Sequence, residues 1–291
     1  MLSNIEQFQG FKKKSRIKNK MNKIIQEVQN KYSFLNNLLT KLWRSWFKSN
    51  ITFKLHLRNV RWKNDKATPD CAYQPTKIEQ LANIITHGIW IIPAIVCANK
   101  LFERSKTSSQ YLVCWVYGGA LTMLFIISTF FHCSCFCTNH NGIRNILHRC
   151  DRAMIYIFIA GSYFPWLQLQ NPRHLSLLVC MEWMIWVMAA IGIMYQQLFH
   201  ERFKCLETCF YVIMGLGPAV AVLSTGHQFH GMTELKFGGF LYIVGIYFFK
   251  SDGIIPMAHA IWHLFVVFAA TCHYYAILIY LYPLENTTPN I

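Results

Sequence analysis

Charge is scarce in this chain, and negative charge scarcest of all. Only 14% of its 291 residues are Asp, Glu, Lys or Arg, against roughly 25% in an ordinary soluble domain. With 54% hydrophobic and 15% aromatic residues, that shortage excludes a typical water-soluble globule and predicts a polytopic membrane protein. A disulfide framework is missing as well. The 11 cysteines lie mostly inside apolar runs without regular spacing, as small apolar residues in reducing surroundings do. No apolar core follows the run Lys12-Lys13-Lys14-Ser15-Arg16 within the first 30 residues, so no signal peptide is expected. The sequence has no internal repeat.

What charge there is has the wrong distribution for a nucleic-acid partner. The net charge is +15, but residues 1–80 hold 17 of the 28 basic residues and only 5 of the 13 acidic ones. A basic arm ahead of apolar spans suits the cytosolic membrane face, where anionic lipids attract it. Residues 1–80 therefore read as a basic cytosolic region, polar and disordered over its first 30 residues. Within it, Leu35, Leu38, Leu39, Leu42, Trp43 and Trp46 share one helical face while Lys41, Arg44 and Lys48 share the other. Residues 34–48 thus predict an amphipathic helix, either lying in the membrane interface or packed on the cytosolic side of the bundle. Residues 51–80 read as an extended linker.

Seven apolar runs follow, near 82–102, 110–132, 152–170, 176–198, 204–224, 236–250 and 256–282. The longer ones match the ~20 residues that cross a ~30 Å hydrocarbon core. The predicted fold is all-α: a seven-helix transmembrane domain over 81–283, with a short tail at 284–291. Pro93, Gly215, Gly217 and Pro218 predict bends in the first and fifth helices. The excess of basic residues at the N-terminal end puts that end in the cytosol. An odd number of spans then puts the C-terminus outside or in a lumen.

The polar residues inside these runs carry the chemistry. Ser128 and His132, and again His259 and His263, are four residues apart, so each pair shares one helical face. Asp151 stands beside the start of the third run. With the orientation above, all of them reach the cytosolic side of the membrane. His132, His259 and His263 supply three neutral imidazoles, which suit Zn2+ and leave a fourth position for water. Zinc lowers the pKa of such a water toward 7. Asp151 would hydrogen-bond or orient that water, with Ser128 beside it.

Other features are weaker. Cys133, Cys135 and Cys137 with His140 read as packing, palmitoylation sites or a second metal site. His87 reads as a satisfied core histidine, and His273 lies too far along the last helix to share the ion. Asn50 and Asn286 open Asn-x-Ser/Thr sequences, the first cytosolic and the second close to the membrane. Lys250, Ser251 and Asp252 read as the turn and cap before the last helix, with Pro256 in its first turn.

The residues that carry the site also carry a resemblance. Ser128-Thr-Phe-Phe-His132, Asp151 followed by Gly161-Ser162-Tyr163-Phe164-Pro165-Trp166, and His259-Ala-Ile-Trp-His263 resemble the progestin and adiponectin receptor family, also called the hemolysin-III family. The resemblance runs from about Arg61 to Tyr282. It implies a seven-helix bundle with a cytosolic N-terminus, and zinc on the three histidines named above. Members are described as receptors, and the fold is related to membrane ceramidases. Two functions follow as expectations. One is a receptor-like protein that couples a lipid or a partner to cytosolic signalling proteins. The other is a zinc-dependent hydrolase of an amide-linked lipid, with Asp151 as base. One branch of the family is associated with Golgi and endo-lysosomal membranes and with modulation of signalling. A pore would need polar residues spaced along a helix, which these runs lack.

Overall fold

The chain divides into Met1–Val60 and Arg61–Ile291. The computed structural model describes residues 61–68, 71–137, 141–170, 176–224, 226 and 229–283, with side chains from 179 in the fourth of these stretches. In the first part it describes only Gln26, Ser33, Asn37 and Thr40, each helical. Most of the expected 34–48 helix, Asn50, His140 and the tail with Asn286 lie outside the described residues.

All regular structure among the described residues is helical. Helix α1 spans Lys77–Gly88, α2 Ile91–Arg104, α3 Ser108–Val113 and α4 Gly119–Cys137. Then come α5 Asn141–Leu169, α6 Ser176–Leu198, α7 Lys204–Ser224, α8 Met232–Phe249 and α9 Ala258–Tyr280. The start of α1 is set by a capping box. Thr76 Oγ1 accepts from the Glu79 amide at 3.2 Å, and the Glu79 carboxylate accepts from the Thr76 amide at 2.8 Å. Two of the amides that begin a helix without partners are thereby satisfied.

Helices α1 and α2 form one broken rod. The break falls at Ile89 and Trp90, because Pro93 has no N–H to bond the carbonyl four residues before it. The expected bend is thus centred upstream of the proline. Helices α3 and α4 are joined by a π-helical turn at Cys114–Gly118. There Gly118 lies against Ala98, and a Cβ on the glycine would sit 2.8 Å from the alanine Cβ.

Six helical stretches are long and apolar enough to cross a bilayer: Lys77–Arg104, Ser108–Cys137, Val179–Leu198, Lys204–Ser224, Met232–Phe249 and Ala258–Tyr280. Their outer faces expose large apolar residues such as Ile92, Trp115, Trp183, Val220, Phe240 and Phe268, the surface expected against lipid. Helix α5 is long enough at 29 residues, but Arg152, Ser162, Tyr163 and Gln168 make it less apolar. Its neighbours explain the difference. It packs on α4, α6, α7 and α9, and Met154, Tyr156, Phe158, Ala160, Phe164 and Leu167 are buried along it. A helix surrounded by protein does not need a uniformly apolar surface.

Helix α4 also packs on α1, α1 on α9, and α8 along α9. Near the end of α9, Gln110 Nε2 donates to the Leu281 carbonyl at 3.0 Å and Tyr282 Oη donates to the Gln110 carbonyl at 2.6 Å, tying the last helix to α3. Helices α7 and α8 are separated by a cavity that both line.

The described residues 61–68 and 71–76 are tied to the bundle. Lys63 Nζ donates to the Gly253 carbonyl at 3.0 Å. Gly253 has φ of +75° and lies against the Lys66 backbone, where a Cβ would come within 2.5 Å of Lys66 Cα. Only glycine tolerates both conditions. The Tyr73 phenol donates to the Glu79 carboxylate at 3.0 Å. Burial, with Glu79 and Asp252 adding to it and a hydrogen bond at Asn64 opposing, pushes this phenol up to about 12, so it stays a donor at neutral pH.

Candidate metal centre

Three helices converge on one group of side chains. His132 comes from α4, His259 and His263 come from the start of α9, and the polar face of α1 supports them. One ligand nitrogen from each histidine lies within 4.8 Å of the others. The rings meet edge to face, with centroids 5.3 Å (His132–His259), 5.2 Å (His132–His263) and 4.7 Å (His259–His263) apart. His132 and His263 are each only 2% exposed.

Each ring has its Nδ1 taken. His132 Nδ1 is 2.8 Å from Gln80 Oε1 and 3.4 Å from Asn83 Nδ2. His263 Nδ1 is 3.0 Å from Thr86 Oγ1, whose single hydrogen goes to the Ala82 carbonyl at 2.8 Å. The hydroxyl therefore accepts from the ring. His259 Nδ1 faces Asp252 Oδ2 at 3.4 Å. With carbonyl, hydroxyl and carboxylate oxygens accepting, the proton is assigned to Nδ1 in all three rings, and each Nε2 keeps its lone pair. His132 Nε2 is buried without any partner in the protein. An imidazole ligand held by a hydrogen bond from its second nitrogen is the usual arrangement around a metal ion. The residues fit a metal on that account.

Asp151 and Ser128 line the same cavity as the three histidines. Ser128 Oγ is also 2.8 Å from His87 Nδ1. The His87 ring stacks on His263 with centroids 3.6 Å apart and 13° between planes. His87 is therefore part of the site's framework as well as a core residue.

Three local expectations are corrected. Asp151 lies within α5, ten residues past its start at Asn141, because the helix continues through the charged segment before the apolar run. Pro256 precedes α9, whose N-cap is Met257 at φ of +60°. His259 thus falls in the first turn and His263 one turn further. Asp252 does not cap that helix and instead pairs with His259. Gln80, Asn83 and Thr86 were missed as site residues. Their signal was available: Gln80, Asn83 and His87 recur at intervals of three and four on one face of α1, a polar stripe on an otherwise apolar helix.

A second cluster holds His148, His200 and Glu201. Glu201 is buried with φ of +65° and is paired with Arg152 at 2.8 Å and Lys204 at 3.2 Å. Arg152 also meets Glu207 at 2.7 Å. Burial pushes the His200 ring down to about 4, with Glu201 opposing and Arg152 and Arg149 adding to it. A metal cation there would confront two side-chain cations already holding the carboxylate. The cluster is therefore an ion-pair network joining α5 to α7.

The histidines open onto a cavity that runs into the bundle, with a total volume of 890 Å³, lined by α5, α7, α8 and α9 and by apolar side chains such as Phe158, Val222, Leu235 and Ile243. Fold and site together define an all-helical, multi-pass membrane protein with buried histidines that could hold a metal ion. The family described as Haemolysin-III related matches residues 76–274. The chain is 47% identical over 227 residues to monocyte to macrophage differentiation factor of Homo sapiens, covering 77% of this chain and 94% of that protein. The Mus musculus protein of that name gives the same figures. Hemolysin-3 of Bacillus cereus is 34% identical over 212 residues, covering 70% of this chain and 93% of the relative. The chain belongs to the haemolysin-III-related family, which is also the progestin and adiponectin receptor family, and it is a multi-pass integral membrane protein.

Proposed function

We propose that this protein is a receptor-like membrane protein in which His132, His259 and His263 hold zinc beside a lipid-binding cavity, and through which a lipid modulates cytosolic signalling proteins. The observation that carries the reading is the anchoring of all three Nδ1 atoms by Gln80, Thr86 and Asp252, with the Nε2 atoms left for an ion. An all-imidazole set suits zinc among the common divalent ions. A mainly apolar cavity between α7 and α8 supports a lipid ligand. In this reading α5 is the seventh span, enclosed by the others, and the basic residues 1–80 lie in the cytosol. A Golgi or endo-lysosomal membrane belongs to the same proposal, as does the absence of a nucleic-acid partner. Zinc analysis of the purified protein in nanodiscs tests it: about one ion per chain is expected, and a metal-free protein prepared without chelators would sink it.

A second reading is favoured by Asp151 and Ser128 lining the cavity beside the histidines. There the protein is a hydrolase of an amide-linked lipid. Zinc would supply the Lewis acidity that readies a water as nucleophile near neutral pH. The Asp151 carboxylate would take a proton from the attacking water and pass it to the departing amine as the carbon–nitrogen bond breaks, with Ser128 beside it and the acyl chain in the cavity. Asp151→Ala is then expected to keep its zinc and lose at least 100-fold in ceramide turnover. Absence of turnover in the unaltered protein, with signalling intact in the variant, would return the choice to the receptor.

A further inference from the structure

The histidine site is not the only place where the cavity meets buried polar atoms without partners. Deep in the bundle, His273 of α9 and Tyr242 of α8 both line the cavity, their rings edge to face at 5.7 Å. Both ring nitrogens of His273 and the Tyr242 hydroxyl are buried and make no hydrogen bond within the protein. The Leu235 carbonyl faces the His273 ring outside hydrogen-bonding geometry. Were it to take one nitrogen, the other would still be orphaned. Leaving such groups unpaired in an apolar interior is costly, so the pair calls for a partner in the cavity.

The backbone is shaped to admit this ring. A Cβ at Gly238 would stand 2.3 Å from His273 Cδ2 and 2.5 Å from Nε2. Any other residue at 238 would push the imidazole away from α8. The gap in side chains on the glycine-rich helix thus serves as the seat of a histidine that binds nothing else in the protein.

We infer that the cavity's ligand carries a second hydrogen-bonding group, received by His273 and Tyr242, at a fixed distance from the end that meets the three histidines. The inference rests on the lipid reading above and narrows it to oxygenated chains. Ten residues of helix separate His263 from His273, a rise of about 15 Å. An extended hydrocarbon chain with ordinary carbon–carbon bonds covers that distance in about twelve carbons. A lipid with a hydroxyl near mid-chain fits, its headgroup at the histidines and its hydroxyl between imidazole and phenol. The neutral pair can serve as donor and acceptor at once.

The test compares stearate with 12-hydroxystearate as competitors of a fluorescent fatty acid on the full-length protein in nanodiscs. The hydroxylated chain is expected to displace the probe at about tenfold lower concentration, the worth of one hydrogen bond to an otherwise unpaired buried group. That preference should vanish in Tyr242→Phe and in His273→Phe. Equal displacement by both chains in the unaltered protein would overturn the inference and leave the lipid reading standing, the orphaned atoms then being served by water. If neither chain displaces the probe, or the probe does not bind, the lipid reading itself falls and the inference with it.

Discussion

Replacing His132 or His263 by alanine is expected to take the zinc content of the purified protein from about one ion per chain to near zero. Two imidazoles and water do not make a site that survives purification, and both residues are fully enclosed by α1, α4 and α9. A sharper result concerns a residue that touches no metal. Gln80→Leu removes the oxygen that holds His132 Nδ1 at 2.8 Å but leaves all three ligands in place. Loss of such an anchor typically costs 10–100-fold in metal affinity, so the variant should load zinc under excess and lose it to a chelator that the unaltered protein resists. Thr86→Val should behave alike through His263. An affinity unchanged in both variants would mean that Nδ1, not Nε2, faces the ion.

Arg152→Met is expected to cost the largest stability of any single charged-to-apolar exchange in the ion-pair network. The guanidinium bridges Glu201 and Glu207 at 2.8 and 2.7 Å, and both carboxylates are at most 5% exposed as residues. Breaking a buried pair by deleting one partner leaves an uncompensated charge and costs roughly 3–5 kcal/mol. Lys204 still reaches Glu201, so Glu207 bears most of the loss, with the Tyr211 hydroxyl donating to it at 2.9 Å. Thermal unfolding in detergent should show a clear fall in Tm. Adding Glu207→Gln should recover much of it, because a neutral amide can stay buried beside Tyr211. No recovery would mean that Arg152 acts by packing, not by charge.

The three histidines were legible because histidines inside apolar runs stand out, and a spacing of four residues puts His259 and His263 on one helical face. Their anchors were not. Gln80 lies before the first apolar run as hydropathy delimits it, whereas the helix begins at Lys77 under the control of Thr76 and Glu79. Hydropathy reports where a helix enters lipid, and this helix is already formed before it does so. Asp252 was read as a cap because turn residues before a helix usually are, and only the fold shows that the turn swings it toward His259. The enclosure of α5 was equally hidden. Periodicity tells which face of a helix is apolar, but not that neighbours cover the rest. Tyr242 and His273 could not be paired from sequence, since their contact depends on the close approach at Gly238.

The histidine site also sets an order of events during synthesis. His132 and its supports on α1 are made early, while His259 and His263 open the last helix of the chain. Until that helix has left the ribosome and docked along α1 and α8, a nascent protein has one imidazole where three are needed. In the zinc reading proposed above, metal capture would report completion: a chain cut short after α8 lacks the last span and, with it, two of the three imidazoles that fasten its first rod to its last.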